Sequence, residues 1–217
     1  PPSDGQGLVG TGVAQGGLGP VYNNRLVVCG EFTQAGNTTV SGLASWTGSS
    51  WNTYGTGVSG GEAVAFSATV HNGNLVIAGL FDHVNGIAAS NVAEWDGSAW
   101  HALGTPAGGL FDVISYAGDL YVCGGSQNGV ASRWDGTSWV PMGANNYDNT
   151  NVLIAYNGTL VAAGSWTTPA NHIAWWDGSE WRPLGDGLNG VVDALTIYNG
   201  DLIAAGWFTQ AGSVPVN

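Results

Sequence analysis

The chain reads as an all-β protein in which one small antiparallel sheet is written several times over. Three observations predict this. A phrase of turn, Leu, small apolar residues and Gly occurs five times: Asn23-Asn24-Arg25-Leu26-Val27-Val28-Cys29-Gly30, Asn72-Gly73-Asn74-Leu75-Val76-Ile77-Ala78-Gly79, Ala117-Gly118-Asp119-Leu120-Tyr121-Val122-Cys123-Gly124, Asn157-Gly158-Thr159-Leu160-Val161-Ala162-Ala163-Gly164 and Asn199-Gly200-Asp201-Leu202-Ile203-Ala204-Ala205-Gly206. Its leucines (Leu26, Leu75, Leu120, Leu160, Leu202) stand 49, 45, 40 and 42 residues apart, a period found in propellers and repeat arrays. A second phrase joins two tryptophans through a short turn, and no stretch carries helical periodicity with start and stop signals.

Each full repeat contains four strand-like segments. The first precedes the turn, as in Ala63-Val64-Ala65-Phe66-Ser67-Ala68-Thr69-Val70 or Val192-Asp193-Ala194-Leu195-Thr196-Ile197-Tyr198. Asn-Gly then predicts a tight hairpin. The second strand is the Leu phrase, apolar on both faces, as in a strand packed between two sheets. An aromatic closes it in four copies: Phe32, Phe81, Trp166 and Phe208. The third and fourth strands flank Trp46-Thr47-Gly48-Ser49-Ser50-Trp51, Trp95-Asp96-Gly97-Ser98-Ala99-Trp100, Trp134-Asp135-Gly136-Thr137-Ser138-Trp139 and Trp176-Asp177-Gly178-Ser179-Glu180-Trp181. Asp-Gly between strands predicts a type I′ turn. Four strands repeated radially make a β-propeller. The expectation is a single five-bladed domain over residues 1–217, with an N-terminal segment 1–14 and repeats at about 15–57, 58–104, 105–143, 144–187 and 188–217. An open solenoid of hairpins fits less well.

Composition excludes several functions. Only 8% of the 217 residues are charged, the net charge is −12, and the three cations are Arg25, Arg133 and Arg182. Nucleic acids and anionic membranes need clustered cations, so neither is an expected partner. No apolar run is long enough to span a bilayer. Cys29 and Cys123 fill the slot that Ala78, Ala163 and Ala205 fill elsewhere. In a ring, these lie on non-neighbouring blades, beyond disulfide reach, so both are expected as buried free thiols.

The combination Asn-Gly-x-Leu, Gly-x-Phe-Thr-x-Ala-Gly and Ile-Ala-x-Trp-Asp-Gly-Ser-x-Trp resembles a propeller-type repeat of secreted and cell-surface proteins. Such repeats occur in bacterial and archaeal surface proteins and in fungal cortical polarity markers. The resemblance runs from about Val21 to Asn217, carried by Thr33-Gln34-Ala35-Gly36, Thr209-Gln210-Ala211-Gly212 and the Trp-Asp-Gly units. It implies an extracellular or cell-surface location and no reaction.

The ends break the pattern. Repeat five stops at Val214-Pro215-Val216-Asn217, with Asn217 aligned on Asn91, before any third strand. Val9-Gly10-Thr11-Gly12 aligns on Leu184-Gly185-Asp186-Gly187 and is expected to complete the last blade in part. Three arrangements satisfy the mismatch: a three-stranded blade closed by the N-terminal segment, a fragment of a longer protein, or an edge that takes a strand from another copy and builds filaments. The candidate edge residues are Val9, Gly10, Val214, Val216 and Asn217.

Chemistry is sparse. Asp96, Asp135 and Asp177 recur at turns that favour Asp for local geometry. Glu62, Asp112 and Asp193 fall near the innermost strands, with Asp112 and Asp193 at comparable places; paired carboxylates there would be needed for glycoside hydrolysis or a calcium site. His71, His83, His101 and His172 occupy different slots, and His71 stands where other repeats carry Tyr. No cofactor or metal is expected, and no enzyme motif is present. Gln34, His83, Asn128, Thr168 and Gln210 lie in variable loops along one rim. They are solvated connections or sugar contacts, the latter similar in outline to five-bladed tachylectin-type lectins. Asn37-Thr38-Thr39 and Asn157-Gly158-Thr159 match the glycosylation pattern. The leading expectation is a non-enzymatic structural or adhesion protein, self-assembling into homo-oligomers or filaments, or binding other surface proteins; a lectin-like glycan binder is the alternative.

Overall fold

The computed structural model describes residues 7–10, 18–125, 129–143 and 148–216. All regular structure in it is β. The chain divides into two compact units, Pro1–Pro106 and Ala107–Asn217.

Repeats one to four each form one four-stranded antiparallel sheet. In the first unit these are Leu18–Tyr22, Arg25–Cys29, Leu43–Trp46 and Trp51–Thr53, then Val64–His71, Asn74–Leu80, Val92–Trp95 and Trp100–Ala102. In the second they are Leu110–Tyr116, Asp119–Gly124, Ala131–Trp134 and Trp139–Met142, then Thr150–Tyr156, Thr159–Gly164, Ile173–Trp176 and Trp181–Pro183. Repeat five supplies a two-stranded sheet, Val191–Tyr198 with Asp201–Trp207.

The first hairpin of each sheet follows from its turn residues. Asn72 and Gly73 both have positive φ (50° and 84°), as do Asn157 and Gly158 (49° and 77°). That is the type I′ geometry whose twist matches paired strands. The Gly ending each Leu phrase has a different cause. Beside it the first strand bulges, as between Thr150 and Val152. A Cβ at Gly164 would lie 2.1 Å from the Asn149 carbonyl oxygen, and one at Gly79 2.0 Å from that of Val64. Only a residue without a side chain permits that approach.

Within each unit, core lies between consecutive sheets. Val27, Cys29 and Leu43 of repeat one pack with Leu75, Ile77, Phe81 and Trp100 of repeat two. Tyr121, Cys123 and Ala131 of repeat three pack with Leu160, Ala162, Trp166 and Trp181 of repeat four. Val161 and Ala163 of repeat four then meet Val192 of repeat five, with Leu202 and Ala204 against them. The second strand of repeat four, Thr159–Gly164, is therefore covered on both faces, which explains its unbroken apolar character. Cys29 and Cys123 are buried free thiols, and burial pushes the Cys29 thiol up to about 12.

Two local expectations are corrected. The Trp-Asp-Gly turn is a four-residue loop, not a type I′ turn: the Asp96 amide donates to the Ala99 carbonyl at 3.2 Å, and within this loop only Gly97 is left-handed, at φ 101°. The Asp96 carboxylate organises it by accepting from the Ser98 and Ala99 amides. The N-terminal segment also takes a different register. Leu8–Val9 pairs with Gln34–Ala35, Leu8 opposite Ala35, as Val58 pairs with Val84 and Leu188 bridges to Ala211. Gly36, Asn85 and Gly212 donate their amides to the carbonyls of Gly7, Gly57 and Gly187. Leu8 and Val9 thus belong to the entrance of repeat one, in the register of Val58 and Leu188.

Candidate functional site

The recurrent turn aspartates are engaged in structure. Asp96, Asp135 and Asp177 each accept two backbone amides from their own turns. The Asp96 carboxyl is held well below the ordinary carboxylate range, first by His101 (2.8 Å) and then by those amides. Amides and hydroxyls of Ser138 and Thr137 do the same for Asp135, and Arg182 leads for Asp177. A general acid needs the opposite shift.

Asp112 and Asp193 are not equivalent. Asp193 and Asn151 occupy the bulge position of their repeats, whereas Asp112 stands one residue past it. Asp112 Oδ2 accepts from the Leu153 amide at 2.9 Å, and Asn151 Nδ2 donates to the Val192 carbonyl at 2.9 Å. These groups tie neighbouring inner strands together. Glu62 lies in the turn before Val64–His71 and is exposed. Among the described residues no group of three or more His, Cys, Asp or Glu is placed to hold a metal ion. His71 is buried, in keeping with a packing role. Among the same residues no helix is long and apolar enough to cross a membrane.

Gln34, His83 and Gln210 share one structural position, the first strand of a short hairpin: Gln34–Ala35 with Thr38–Thr39, His83–Val84 with Ile87–Ala88, and Gln210–Ala211 with Val214–Pro215. His83 and Gln210 are exposed and Gln34 is half-buried. Thr168 is exposed in a loop without such a hairpin. Asn128 lies outside the described residues. Asn37 and Asn157 both sit exposed on hairpin turns.

The terminal sheet differs most from its counterparts. Among the described residues Asp201–Trp207 is paired along one edge only. Ile203 is 43% exposed where Val161 and Val76 are fully buried, and Trp207 is 82% exposed. Beside this edge lies a cavity of about 900 Å³ lined by Tyr156, Ile173, Leu184, Leu202, Ala204 and Phe208, with Asp201 at its rim. In repeat four the matching space holds Ala174 and Trp181. Trp181 donates its indole N–H to the Met142 carbonyl at 3.0 Å, and Trp100 donates to Tyr54 at 2.9 Å. Leu184 stands at the place of Met142 and Tyr54, each followed by Gly at the next position.

The edge residues expected from sequence are placed elsewhere. Val9 and Gly10 accompany the repeat-one loop, Val214 folds back on Ala211, and the Val216 amide donates to Thr209. That last bond matches the one from Ala89 to Asp82, so Asn217, itself outside the described residues, aligns on Ser90 and not Asn91. Among the described residues the Leu phrase of repeat five, Asp201–Trp207, has one paired edge where the other four Leu phrases have two. A sequence signal for the N-terminal register does exist: Gly5-Gln6-Gly7-Leu8-Val9-Gly10, Gly55-Thr56-Gly57-Val58-Ser59-Gly60 and Gly185-Asp186-Gly187-Leu188-Asn189-Gly190 share Gly-x-Gly-aliphatic-x-Gly. Comparison with known proteins finds no family model that matches this chain and no matching curated protein.

Proposed function

We propose that this chain is a non-enzymatic extracellular structural or adhesion protein, a five-bladed propeller of the surface-protein type, that assembles by strand addition at its terminal sheet. The observation that carries this reading is the singly paired edge of Asp201–Trp207 with its apolar exposure. An unpaired strand edge is a template for another strand, and a head-to-tail contact of that kind grows into filaments. The use of the recurrent aspartates as turn caps and strand ties supports a non-enzymatic role. Sedimentation velocity and electron microscopy over a concentration series test it: particles that lengthen with concentration are expected, and a strict monomer at the highest attainable concentration overturns it.

Glycan binding is a second reading, favoured by the shared hairpin position of Gln34, His83 and Gln210. A glycan array should show binding lost on His83→Ala; an array without any bound sugar removes this reading.

A further inference from the structure

We infer that the groove beside Asp201–Trp207 accepts a β-hairpin of a particular chemistry, with a cation immediately before its first Trp. The inference rests on the strand-accepting edge proposed above and adds the identity of what the edge selects.

The other four sheets define the occupant. Their third strands place Trp opposite the anchoring Leu, as Trp95 lies opposite Leu75 and Trp46 opposite Leu26. A small residue then sits two positions before that Trp, as Ala93 lies opposite Ile77 and Ala174 opposite Ala162. On repeat five this register puts a Trp opposite Leu202 and a small residue opposite Ala204. The fourth-strand Trp would enter the cavity of about 900 Å³ and reach the Leu184 carbonyl, as Trp181 reaches Met142.

Charge decides the residue between them. In repeat two, Asn74 donates to Glu94, which stands immediately before Trp95 (2.6 Å). In repeat three, Asp119 takes the place of Asn74, and Arg133 takes the place of Glu94, joined to it at 3.2 Å. Repeat five repeats the acidic choice with Asp201, at the rim of the groove. A carboxylate there repels an acidic partner and attracts Arg or Lys. The segment of this chain with matching chemistry is Gly129–Met142, which contains Ser132-Arg133-Trp134 and Trp139. The occupant is a hairpin of that chemistry on another polypeptide.

The test uses the whole chain and a labelled synthetic peptide with the sequence of residues 129–142. Binding is followed by anisotropy, and the site by hydrogen exchange at the amides of residues 202–206. Saturable binding that protects those amides is expected. Trp139→Ala in the peptide should weaken it by about tenfold or more, and Arg133→Glu by about fivefold. Asp201→Lys in the protein, an exposed change at the end of a turn, should reverse the order of the Arg and Glu peptides. Amides 202–206 left unprotected by peptide, or a peptide order indifferent to Asp201→Lys, overturns the inference. Protection that rises with protein concentration alone and resists the peptide makes a second copy the occupant: this inference then falls while the assembly reading survives. A strict monomer that binds the peptide with the Asp201-dependent order supports the inference while the assembly reading falls.

Discussion

Trp181 donates its indole N–H to the carbonyl of Met142 at 3.0 Å, across 39 residues of chain. The bond ties the fourth strand of repeat four to the end of the fourth strand of repeat three, and Trp181 is almost wholly buried beside Ala162 and Trp166. Truncation to Ala should cost about 3–5 kcal/mol. Trp181→Phe keeps most of the apolar contact but strands the carbonyl, and should cost about 1–3 kcal/mol. Urea unfolding of both variants checks the order; equal losses would remove the hydrogen bond from the account.

The Gly that closes each Leu phrase makes a second, sharper prediction. Gly164→Ala places a methyl 2.1 Å from the Asn149 carbonyl oxygen. The bulge cannot absorb this without separating the first two strands, so a loss of at least about 2 kcal/mol is expected. Gly158→Ala, on the turn of the same hairpin, meets no atom within 4 Å but sits at φ 77°, so its cost is the backbone strain of about 1–2 kcal/mol. Unfolding midpoints should rank Gly164→Ala below Gly158→Ala.

Ala117 occupies a left-handed position at φ 52°, where the other first hairpins carry Asn. Asn tolerates that region better because its short side chain bonds locally. Ala117→Asn should raise stability by about 0.5–1 kcal/mol. Thermal unfolding checks it, and an unchanged midpoint would show that this turn carries no strain.

Hydrophobic patterning made most of the fold legible. The Leu phrase and the Trp pairs give strands and their order, because strands covered on both faces read as apolar runs and cross-strand Trp pairs sit directly opposite, 5.3 Å apart for Trp176 and Trp181. The N-terminal register was not recovered, since a two-residue strand such as Leu8–Val9 has no apolar period to anchor it. The tie from Asp112 to Leu153 was illegible because its partner is a backbone amide 41 residues away. The singly paired edge of repeat five runs along the Leu phrase Asp201–Trp207 and not along the flanking Val9, Gly10, Val214 or Val216, because sequence does not show which strand edges lack a neighbour.

That tie leads to a fourth prediction. Asp112 Oδ2 accepts from the Leu153 amide at 2.9 Å, and Oδ1 from its neighbour Val113 at 2.8 Å. Asp112→Ala leaves a half-buried amide of the next sheet without its acceptor and should cost about 1–3 kcal/mol. Asp112→Asn retains an acceptor oxygen and should recover part of the loss. The decisive reading is hydrogen exchange at Leu153: faster exchange in Asp112→Ala than in Asp112→Asn is expected, and equal rates would discard the tie.

Acid should weaken the protein through its Trp-Asp-Gly loops. The carboxyls of Asp96, Asp135 and Asp177 lie below their ordinary range in the folded chain, held there by His101, by the Ser138 and Thr137 amides, and by Arg182 respectively. A folded value below the unfolded one means the unfolded state takes up protons first. The contribution is therefore complete above the unfolded value of about pH 4 and is lost as pH falls through the lower folded values. Denaturation midpoints measured from pH 6 to pH 2 should fall steeply below about pH 4. Asp135→Asn keeps an acceptor that cannot titrate, so its midpoint should start lower at pH 6 and fall less. Parallel pH profiles for the two proteins would show that this loop does not set the acid response.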